Sequence, residues 1–426
     1  MITLLTCRER RYFGPMDASI DERAPVDLTS DTNLTRDAIR TPTIAVRELV
    51  YFGSEVRDAS TIKRVQQFID HGFAVTVFGF HRTRYNNDYQ PPWPHVTMGT
   101  TIDGRYGHRL LALLAALPTL FAHRRRFAAA SVFYARNIDQ LLLAMVARLL
   151  SGSRAPVVYE VLDIPPILMR RGPSAWLLRW IERRCLDRVR LLALSSPAFH
   201  RNYYAAIQHH RGPWFLVENK LHPSIVRTVR PARHGPVRGG RPWVVGYFGL
   251  IRGEDTFALM ARLAERLRGK VEFVFRGALT TVEPTRFRDT LNRLPNMSFG
   301  GPYQPHSELE TLYREVDFAW ALDLEHTDHN SRWLMPCRFY ESGYFGVPCL
   351  AVRDFQVGQV VEQHGIGFTF EKPLEEQLVR FFETLTVADY ERICGELGRM
   401  PDDMFVAGDD VEKLCRLIDG FKAHSA

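Results

Sequence analysis

Cysteine is scarce in this sequence, and no two cysteines stand close together. The six cysteines lie between positions 7 and 415, with no C-x-x-C pair among them. A disulfide framework or a structural zinc site requires cysteines at short, regular spacings, so this distribution argues against both. Dispersed cysteines are typical of a protein that works in a reducing compartment.

Long apolar runs are also missing. The longest, residues 110–122, is interrupted by Pro118, and it is shorter than the ~20 residues that a membrane-spanning helix requires. The N-terminal sequence MITLLTC contains only a short apolar patch, which is insufficient for the core of a signal peptide. We therefore expect a cytoplasmic protein with no segment that spans a membrane.

Two common binding signals are absent as well. The loop after the first predicted strand contains Gly53 alone, so it has no G-x-G-x-x-G dinucleotide fingerprint. The net charge is +7, yet arginines and carboxylates are interleaved through most of the chain, which argues against a nucleic-acid groove. The excess positive charge is then either an ordinary solvated surface or an attraction to an anionic substrate or lipid surface.

What the sequence does contain is a long alternation of apolar strands and amphipathic helices, which predicts parallel sheets. A chain of 426 residues also exceeds one ordinary hydrophobic core. We therefore predict an α/β fold in which two Rossmann-like domains face each other across a cleft. The predicted segments are a flexible leader (1–43), an N-terminal domain (44–225), a linker (226–240), a C-terminal domain (241–405), and a final helix within 406–426 that could pack on either domain.

Residues 316–352 carry the clearest site signal. They predict a strand at 316–322, a polar loop at 323–331, a helix that carries Arg338 and Glu341, and a strand at 349–352. Because Arg338 and Glu341 are three positions apart, both project from one face of the helix. Loops and helix starts at the carboxyl ends of parallel strands favour an anionic ligand such as a nucleotide diphosphate.

Further basic and acidic side chains follow other predicted strands. Arg252 comes after the turn that contains Gly249, and Arg276 ends the next strand; each could bind a phosphate or pair with a nearby carboxylate, such as Glu254 or Asp255 for Arg252. Glu160 and Asp163 end the fifth strand of the first domain. Asp163, which is nearer the end, is the preferred acceptor-side carboxylate, but it could instead cap a helix.

Asp58 is a rival to these carboxylates, because it lies in the loop after the first strand. The alternative role of Asp58 is the N-cap of the following helix. The loop at 323–331 contains five residues of metal-ligand type, namely Asp323, Glu325, His326, Asp328 and His329. Their spacing matches no standard zinc or calcium site, so we interpret them as a polar cleft loop and predict no metal.

Two segments of the N-terminal domain combine apolar and basic residues. A helix predicted over 109–127 is rich in leucine and ends in HRRRF, and residues 170–190 interleave Trp176 and Trp180 with arginines. Such helices either bury their apolar faces on the sheet or lie in an anionic membrane interface. Both roles remain open from the sequence.

The ordered segments resemble those of two-domain bacterial glycosyltransferases of the GT-B type, near the large retaining family four and close to exopolysaccharide enzymes of the succinoglycan type. The matching segments span about 45–370 and are VVYEVLDI, SSPAFHRNYY, LVENK, WVVGYFGLIRG, VEFVFRG, FGGPY, DFAWALD and NSRWLMPCRFYESGYFGVPCLA. The resemblance implies transfer of a glucose-type hexosyl residue from a nucleotide sugar, as a UDP-sugar, to a lipid-linked saccharide at the inner membrane face. It implies no cofactor and no metal.

The resemblance also implies roles for individual residues. Glu341 stands where the family binds the donor ribose, and Arg252 stands where a basic residue meets the diphosphate. Trp333 occupies a position where many members have a glutamate, so Asn330, Ser331 or backbone amides near Leu334 are expected to contact the sugar instead. Two other functions fit the same fold: a sugar-nucleotide epimerase, and a non-catalytic subunit of a polysaccharide assembly complex.

Overall fold

Contacts divide the chain into residues 1–45 and 46–426, and the computed structural model describes residues 47–81, 89–101, 106–226, 230 and 240–421. The predicted leader and most of the predicted linker therefore lie outside the described residues. All of the elements below belong to the second unit.

The first half forms a seven-stranded parallel sheet in the order β3-β2-β1-β4-β5-β6-β7. Its strands are β1 Arg47–Gly53, β2 Phe73–His81, β3 His95–Thr100, β4 Val132–Arg136, β5 Val157–Val161, β6 Leu191–Leu194 and β7 Trp214–Leu216. Its helices are α1 Ala59–Asp70, α2 Tyr106–Ala115, α3 Leu117–Ala122, α4 Arg124–Ala129, α5 Ile138–Ser151, α6 Pro166–Met169, α7 Pro173–Leu186 and α8 Pro197–Phe199, which continues into a π-helical turn, His200–Ala205.

The second half forms a six-stranded parallel sheet in the order β10-β9-β8-β11-β12-β13. Its strands are β8 Trp243–Ile251, β9 Val271–Leu279, β10 Met297–Phe299, β11 Phe318–Trp320, β12 Cys349–Val352 and β13 Gly367–Phe370. Its helices are α9 Glu254–Arg266, α10 Pro284–Arg293, α11 Pro305–Arg314, α12 Asn330–Trp333, α13 Cys337–Tyr344, α14 Gln356–His364, α15 Leu374–Thr384, α16 Val387–Gly398 and the final α17 Asp409–Gly420; short 3-10 turns cover Pro223–Ile225 and Asp402–Met404.

Both sheets reverse their strand order beside the first strand, and this reversal positions the site. In each sheet the first strand lies between the second and the fourth: β1 pairs with β2 and β4, and β8 pairs with β9 and β11. Where the loops after two neighbouring strands run in opposite directions, a crevice forms at the carboxyl ends of the strands. Ligands bind in this crevice in such sheets. The loops after β8 and β11, which carry Arg252 and Asp323, therefore meet.

The C-terminal helix returns to the first sheet, which is one of the two positions that the sequence left open. The chain crosses back beside Leu221, whose amide donates to the carbonyl of Phe405 (2.9 Å) and whose carbonyl accepts from the amide of Ala407 (2.8 Å). On α17, Leu414 and Ile418 then lie in the same apolar cluster as strand and helix residues of the first sheet. Burial of this apolar face fixes the helix there.

The single helix predicted over residues 109–127 is wrong. The segment forms three short helices, α2 to α4, which break around Ala116 and His123. Pro118 lies in the first turn of α3. A proline in the middle of a helix removes one backbone hydrogen bond and clashes with the preceding turn, so the chain stops and restarts there.

Candidate active site

An ion pair between Arg252 and Asp323 joins the loops after β8 and β11. Both Nε (2.8 Å) and Nη2 (2.6 Å) of Arg252 donate to Oδ2 of Asp323, and a second carboxylate, Glu325, lies 3.6 Å from Nε. Burial alone would raise the pKa of Asp323, but Arg252 and the amide of Glu325 lower it below its usual value. Asp323 is therefore held ionised beside the guanidinium.

Asp323 also organises the loop that follows it. Its Oδ1 accepts hydrogen bonds from the hydroxyl of Ser331 (3.0 Å) and the amide of Glu325 (3.1 Å). The hydroxyl of Ser331 accepts in turn from the amide of His326 (3.1 Å). Ser331 is 2% exposed, so its side chain is committed to the loop, and its predicted role as a direct sugar contact does not fit this geometry.

Among the described residues, no group of three or more His, Cys, Asp or Glu side chains is arranged to hold a metal ion. In the loop that drew attention by its composition, the rings of His326 and His329 stack at 5.1 Å, and Nδ1 of His329 lies 2.5 Å from Oδ1 of Asp328. These contacts belong to a structured polar loop.

Glu341 is half-buried on α13, and one of its oxygens is already in use. The hydroxyl of Tyr313 donates to Oε2 of Glu341 (2.9 Å). Burial raises the pKa of Glu341, whereas Tyr313, Lys63 and Arg338 act in the opposite direction. Because a carboxylate has about four lone-pair sites, Glu341 retains acceptor capacity for a hydroxyl pair of a ligand.

Arg338 lies one helical turn before Glu341 and is held mostly by backbone and aromatic contacts. Its Nη1 donates to the carbonyl of Phe248 (3.2 Å), and its guanidinium carbon lies 4.4 Å from the centroid of the Tyr247 ring. The residue is 8% exposed, and its buried Nε has no hydrogen-bond partner among the described residues. A guanidinium with spare donors suits an incoming anion.

Two cleft residues were not identified from the sequence. Lys63, on α1, interacts electrostatically with Glu341 and Cys337, and burial lowers its pKa to about 8; its Nζ also donates to the carbonyl of Lys220 (2.7 Å). Tyr303, in the loop after β10, has its pKa raised by burial and by the charge of Glu341. FGGPY contains Tyr303, but nothing in the sequence brings α1 near α13.

Gly249 and Arg276 occupy adjacent strands with different surroundings. Gly249 has a φ of +105°, which L side chains rarely adopt, and a Cβ added there would meet no heavy atom within 4 Å, so the backbone faces open space. Arg276 instead donates to the carbonyls of Gly301 (3.2 Å) and Pro302 (3.1 Å) and pairs with Glu308 (3.2 Å). These contacts order the loop that presents Tyr303.

The first sheet separates its two candidate carboxylates. Glu160 is fully buried, and its oxygens pair with Nη2 of Arg64 (2.8 Å) and Nε of Arg136 (3.2 Å). Burial opposes its ionisation, but Arg64 and Arg136 lower the pKa of Glu160 below its usual value. This burial contradicts the predicted catalytic role, because a carboxylate enclosed by two guanidiniums inside the sheet cannot reach a substrate.

Asp58 and Asp163 remain at the edge of the cleft. Asp58 caps α1, since its carboxylate accepts from the amide of Thr61 (3.3 Å), and its side chain is 44% exposed; the predicted N-cap alternative is therefore present. Asp163 is exposed just beyond β5 and interacts electrostatically with Arg252. Of the three predicted catalytic carboxylates, Asp163 is the one that the fold places near the Arg252 loop.

The segment around Trp333 crosses to the first sheet. Trp333 (9% exposed) and Leu334 (6%) belong to the apolar cluster of that sheet, and the hydroxyl of Ser196 donates to the carbonyl of Trp333 (2.5 Å). The amide of Leu334 is bound to the carbonyl of Asn330 (2.9 Å), so it is not available to a sugar. The amide of Leu334, predicted as an alternative sugar contact, is thus occupied.

No family model matches the sequence. The chain is, however, 30% identical over 374 residues to the succinoglycan biosynthesis protein ExoL of Rhizobium meliloti (strain 1021), a match that covers 87% of this chain and 92% of that protein. The chain belongs to the ExoL family. This membership confirms the predicted relationship to succinoglycan-type exopolysaccharide proteins.

Solved structures agree on the fold of this ExoL-family chain. Anabaena Alr3699/HepE in complex with UDP and glucose superimposes with a TM-score of 0.65 at 14% identity, over 88% of this chain and 100% of that one. Sucrose-phosphate synthase from Thermosynechococcus elongatus gives a TM-score of 0.68 at 11% identity, over 89% and 100%. The prediction of a GT-B fold is confirmed.

Proposed function

We propose that this ExoL-family protein transfers a glucose-type hexosyl residue from a UDP-sugar to a lipid-linked saccharide during bacterial exopolysaccharide synthesis. The observation that carries the proposal is the family membership together with the cleft in which Glu341, Arg338 and Arg252 lie. A likeness to a protein whose structure contains UDP and glucose supports the choice of donor. No cofactor and no metal form part of the proposal.

We assign the donor to the second sheet. The free acceptor capacity of Glu341 suits the vicinal hydroxyls of a ribose, and the open backbone at Gly249 suits a close approach of the diphosphate. Arg252 has five N–H donors, of which Asp323 uses two, so further donors remain for phosphate oxygens. Arg338 supplies a second guanidinium for the charge that develops on the leaving diphosphate.

We assign the acceptor side to Asp163. If the reaction inverts the anomeric carbon, the acceptor hydroxyl requires a general base, and a carboxylate that is exposed beside the Arg252 loop can take that proton. If the reaction retains the configuration, the same carboxylate contacts the transferred sugar. The anomeric signal of the product by NMR, after turnover on a bacterial membrane fraction, distinguishes the two.

Thermal unfolding with a panel of UDP- and GDP-sugars tests the donor site. Saturation at a hundred times the dissociation constant stabilises the folded state by about 2.7 kcal/mol. We expect a UDP-hexose to raise the unfolding temperature and Glu341→Ala to remove that rise. Glu383→Ala is the matched control, because Glu383 pairs with Lys270 on the surface. An unchanged unfolding temperature with every nucleotide sugar would refute the donor site.

We also propose that one face of the first sheet binds an anionic membrane. Of the fourteen exposed large apolar side chains among the described residues, ten lie on or beside α2, α3, α5 and α7: Leu110, Leu111, Leu114, Leu117, Phe121, Leu149, Leu150, Trp176, Leu177 and Trp180. The buried residues of these helices share one apolar cluster, so the helices cover the same face. We call this exposed apolar set the helical face.

Positive charge surrounds the helical face. Arg125 and Arg126 are exposed on α4, and a groove of about 570 Å³ between α5 and α7 is lined by Trp180, Leu149 and three arginines: Arg148, Arg184 and Arg188. Apolar side chains flanked by arginines suit the interface of an anionic bilayer. No helix among the described residues has the length and apolar character to cross a bilayer.

Sedimentation with phosphatidylglycerol-containing and pure phosphatidylcholine vesicles tests the membrane face. We expect binding to the anionic vesicles, weakened by Leu111→Glu and by Trp176→Glu, because each places a carboxylate in the apolar contact. Val387→Glu is the matched control, since Val387 is an exposed apolar residue on α16 of the second sheet. Equal binding of the Leu111, Trp176 and Val387 variants would exclude the helical face.

A further inference from the structure

The side chain of Asn330 crosses from the second half of the protein to the proposed acceptor-side carboxylate. Its Nδ2 donates to Oδ1 of Asp163 (2.9 Å), and its Oδ1 accepts from the amide of Ile164 (2.8 Å). Asn330 is 5% exposed. Both ends of the amide are therefore occupied by adjacent residues just beyond β5, in a two-point contact that fixes the direction of the carboxylate.

The element that carries Asn330 is itself anchored in the first sheet. Asn330 begins α12, and α12 ends at Trp333, whose ring lies with Leu334 in the apolar cluster of that sheet. The hydroxyl of Ser196 holds the carbonyl of Trp333. On the other side, Ser331 bonds to Asp323, the partner of Arg252. Asn330 thus lies between the loop that we assign to the donor and the carboxylate that we assign to the acceptor.

We propose that Asn330 is a positioning residue that orients Asp163 towards the acceptor hydroxyl only when the two halves of the protein are in contact. The proposal rests on the proposed role of Asp163. By binding Oδ1, the amide leaves Oδ2 of Asp163 for the acceptor. A correctly oriented carboxylate then coincides with an assembled donor site.

Several charged residues lie near Asp163 and Asn330. Arg252 interacts electrostatically with Asp163 and is itself paired with Asp323 and Glu325. His329 precedes Asn330 and is bonded to Asp328. An acidic residue at position 330 would add a second carboxylate in contact with Asp163, and two carboxylates that share a site raise one of the two pKa values strongly.

Kinetics of UDP release from UDP-glucose on a bacterial membrane fraction test the proposal. We expect Asn330→Ala to lower kcat by about 10- to 100-fold, as misplacement of a reacting group does, with a KM for UDP-glucose within about twofold of the wild type. The matched control is Asn296→Ala, because the Asn296 amide donates to the carbonyls of Ala264 and Val271 within the second half. It should lower stability to a similar extent and leave kcat unchanged.

Asn330→Asp tests whether residue 330 acts through Asp163, because a purely structural asparagine would not influence the pH dependence of kcat. We expect the acidic limb of its kcat profile to shift upward by about one pH unit or more. Carbodiimide labelling of Asp163, followed by mass spectrometry across the same pH range, measures this shift without any substrate. An unshifted labelling profile in Asn330→Asp would overturn the proposal.

The kinetic outcomes separate this proposal from the proposed function. An active Asp163→Asn variant would refute the role of Asp163. An inactive Asp163→Asn variant beside a fully active Asn330→Ala variant would refute the role of Asn330 alone. A raised KM for UDP-glucose at constant kcat in Asn330→Ala would also overturn the proposal, because it would make Asn330 a donor contact.

Discussion

Glu160→Gln separates a structural carboxylate from a catalytic one. The substitution keeps the shape of the side chain but removes the charge that two buried guanidiniums share. Arg64 is 1% exposed and Arg136 is 2% exposed, and both lie within 3.2 Å of Glu160 oxygens. After the change, Arg64 retains a hydrogen bond to Gln67 (2.8 Å), which is a neutral partner. Arg136 keeps the carboxylate of Asp58 at 3.8 Å, so the repulsion between two buried cations would be compensated only in part.

The expected loss is large because the pair is fully desolvated. Removal of one partner of a buried ion pair costs about 3–5 kcal/mol. For a folding unit of 150–250 residues, each kcal/mol lowers the unfolding temperature by about 2–4 °C. We therefore expect Glu160→Gln to lower the unfolding temperature of the first half by roughly 6–20 °C. A protein of this size can unfold in several steps, so the shift should be confined to the transition of the first sheet.

Scanning calorimetry measures the shift, and Glu182→Gln is the matched control. Glu182 is also fully buried, but its partners are neutral: the hydroxyls of Tyr159 (3.0 Å) and Tyr204 (3.2 Å) and the amide of Gln208 (2.6 Å). Glutamine can replace this carboxyl without stranding a charge. A Glu160→Gln variant that is as stable as the wild type, yet inactive, would restore the catalytic interpretation of Glu160 and refute ours.

The losses of stability caused by Glu160→Gln and Glu182→Gln should also change with pH in opposite directions. The pKa of Glu160 is lowered in the folded protein, so its contribution is complete above the unfolded pKa and is lost as the pH falls through the folded value. The pKa of Glu182 is raised by burial, so its contribution is complete below the unfolded pKa and declines as the pH rises. The cost of Glu160→Gln should shrink as the pH falls below the unfolded pKa of glutamate, whereas the cost of Glu182→Gln should shrink as the pH rises above it.

Three further substitutions test the cleft. Trp333→Ala should lower the free energy of unfolding by about 3–5 kcal/mol, because it empties an apolar site between the two halves, and chemical denaturation measures that loss; a loss below 1 kcal/mol would contradict the packing. Tyr313→Phe removes a hydrogen bond that lowers the pKa of Glu341, so Glu341 should take up its proton at a higher pH in the variant. UDP affinity, measured by calorimetry during acidification, should therefore begin to fall at a higher pH than in the wild type. Identical affinity profiles for the two proteins at acidic pH would contradict this. The pKa of Lys63 is about 8, so if its ammonium attracts the diphosphate, UDP affinity should decline as the pH rises through 8. Lys63→Arg should retain its affinity for UDP over that range. A wild-type affinity that is constant to pH 9 would exclude Lys63 as a diphosphate contact.

The fold was largely predictable because apolar residues recur at different spacings in strands and in helices. The strand predicted at 349–352 is β12, and the helix with Arg338 and Glu341 is α13. Breaks within helices were less predictable, as residues 109–127 show. The return of α17 to the first sheet was open because its apolar face would fit any exposed apolar surface, and only the tertiary arrangement decides between them.

Site residues were predictable where their position depends on the element that carries them. They were not predictable where they are paired with residues far away in the sequence. Arg252 and Glu341 follow elements whose positions the sequence indicates. The Arg252–Asp323 pair joins residues 71 positions apart in sequence, and it depends on the strand order that makes β8 and β11 neighbours. Glu160 and Asp163 are equally acidic and nearly adjacent in sequence. Only the direction of each side chain from β5 separates a buried ion pair from an exposed carboxylate.

Trp333 explains why the donor contacts that the segment between β11 and β12 supplies must begin after position 333. A glutamate there would place a charge in the apolar cluster of the first sheet, at a cost of several kcal/mol. The ring instead joins the two halves, and the amides of Trp333 and Leu334 bond to preceding carbonyls. The next available donors are the first turn of α13, which has no side-chain cap. Cys337 opens that turn and interacts electrostatically with Lys63 and Arg338, so we expect both cations to face the diphosphate together with Arg252.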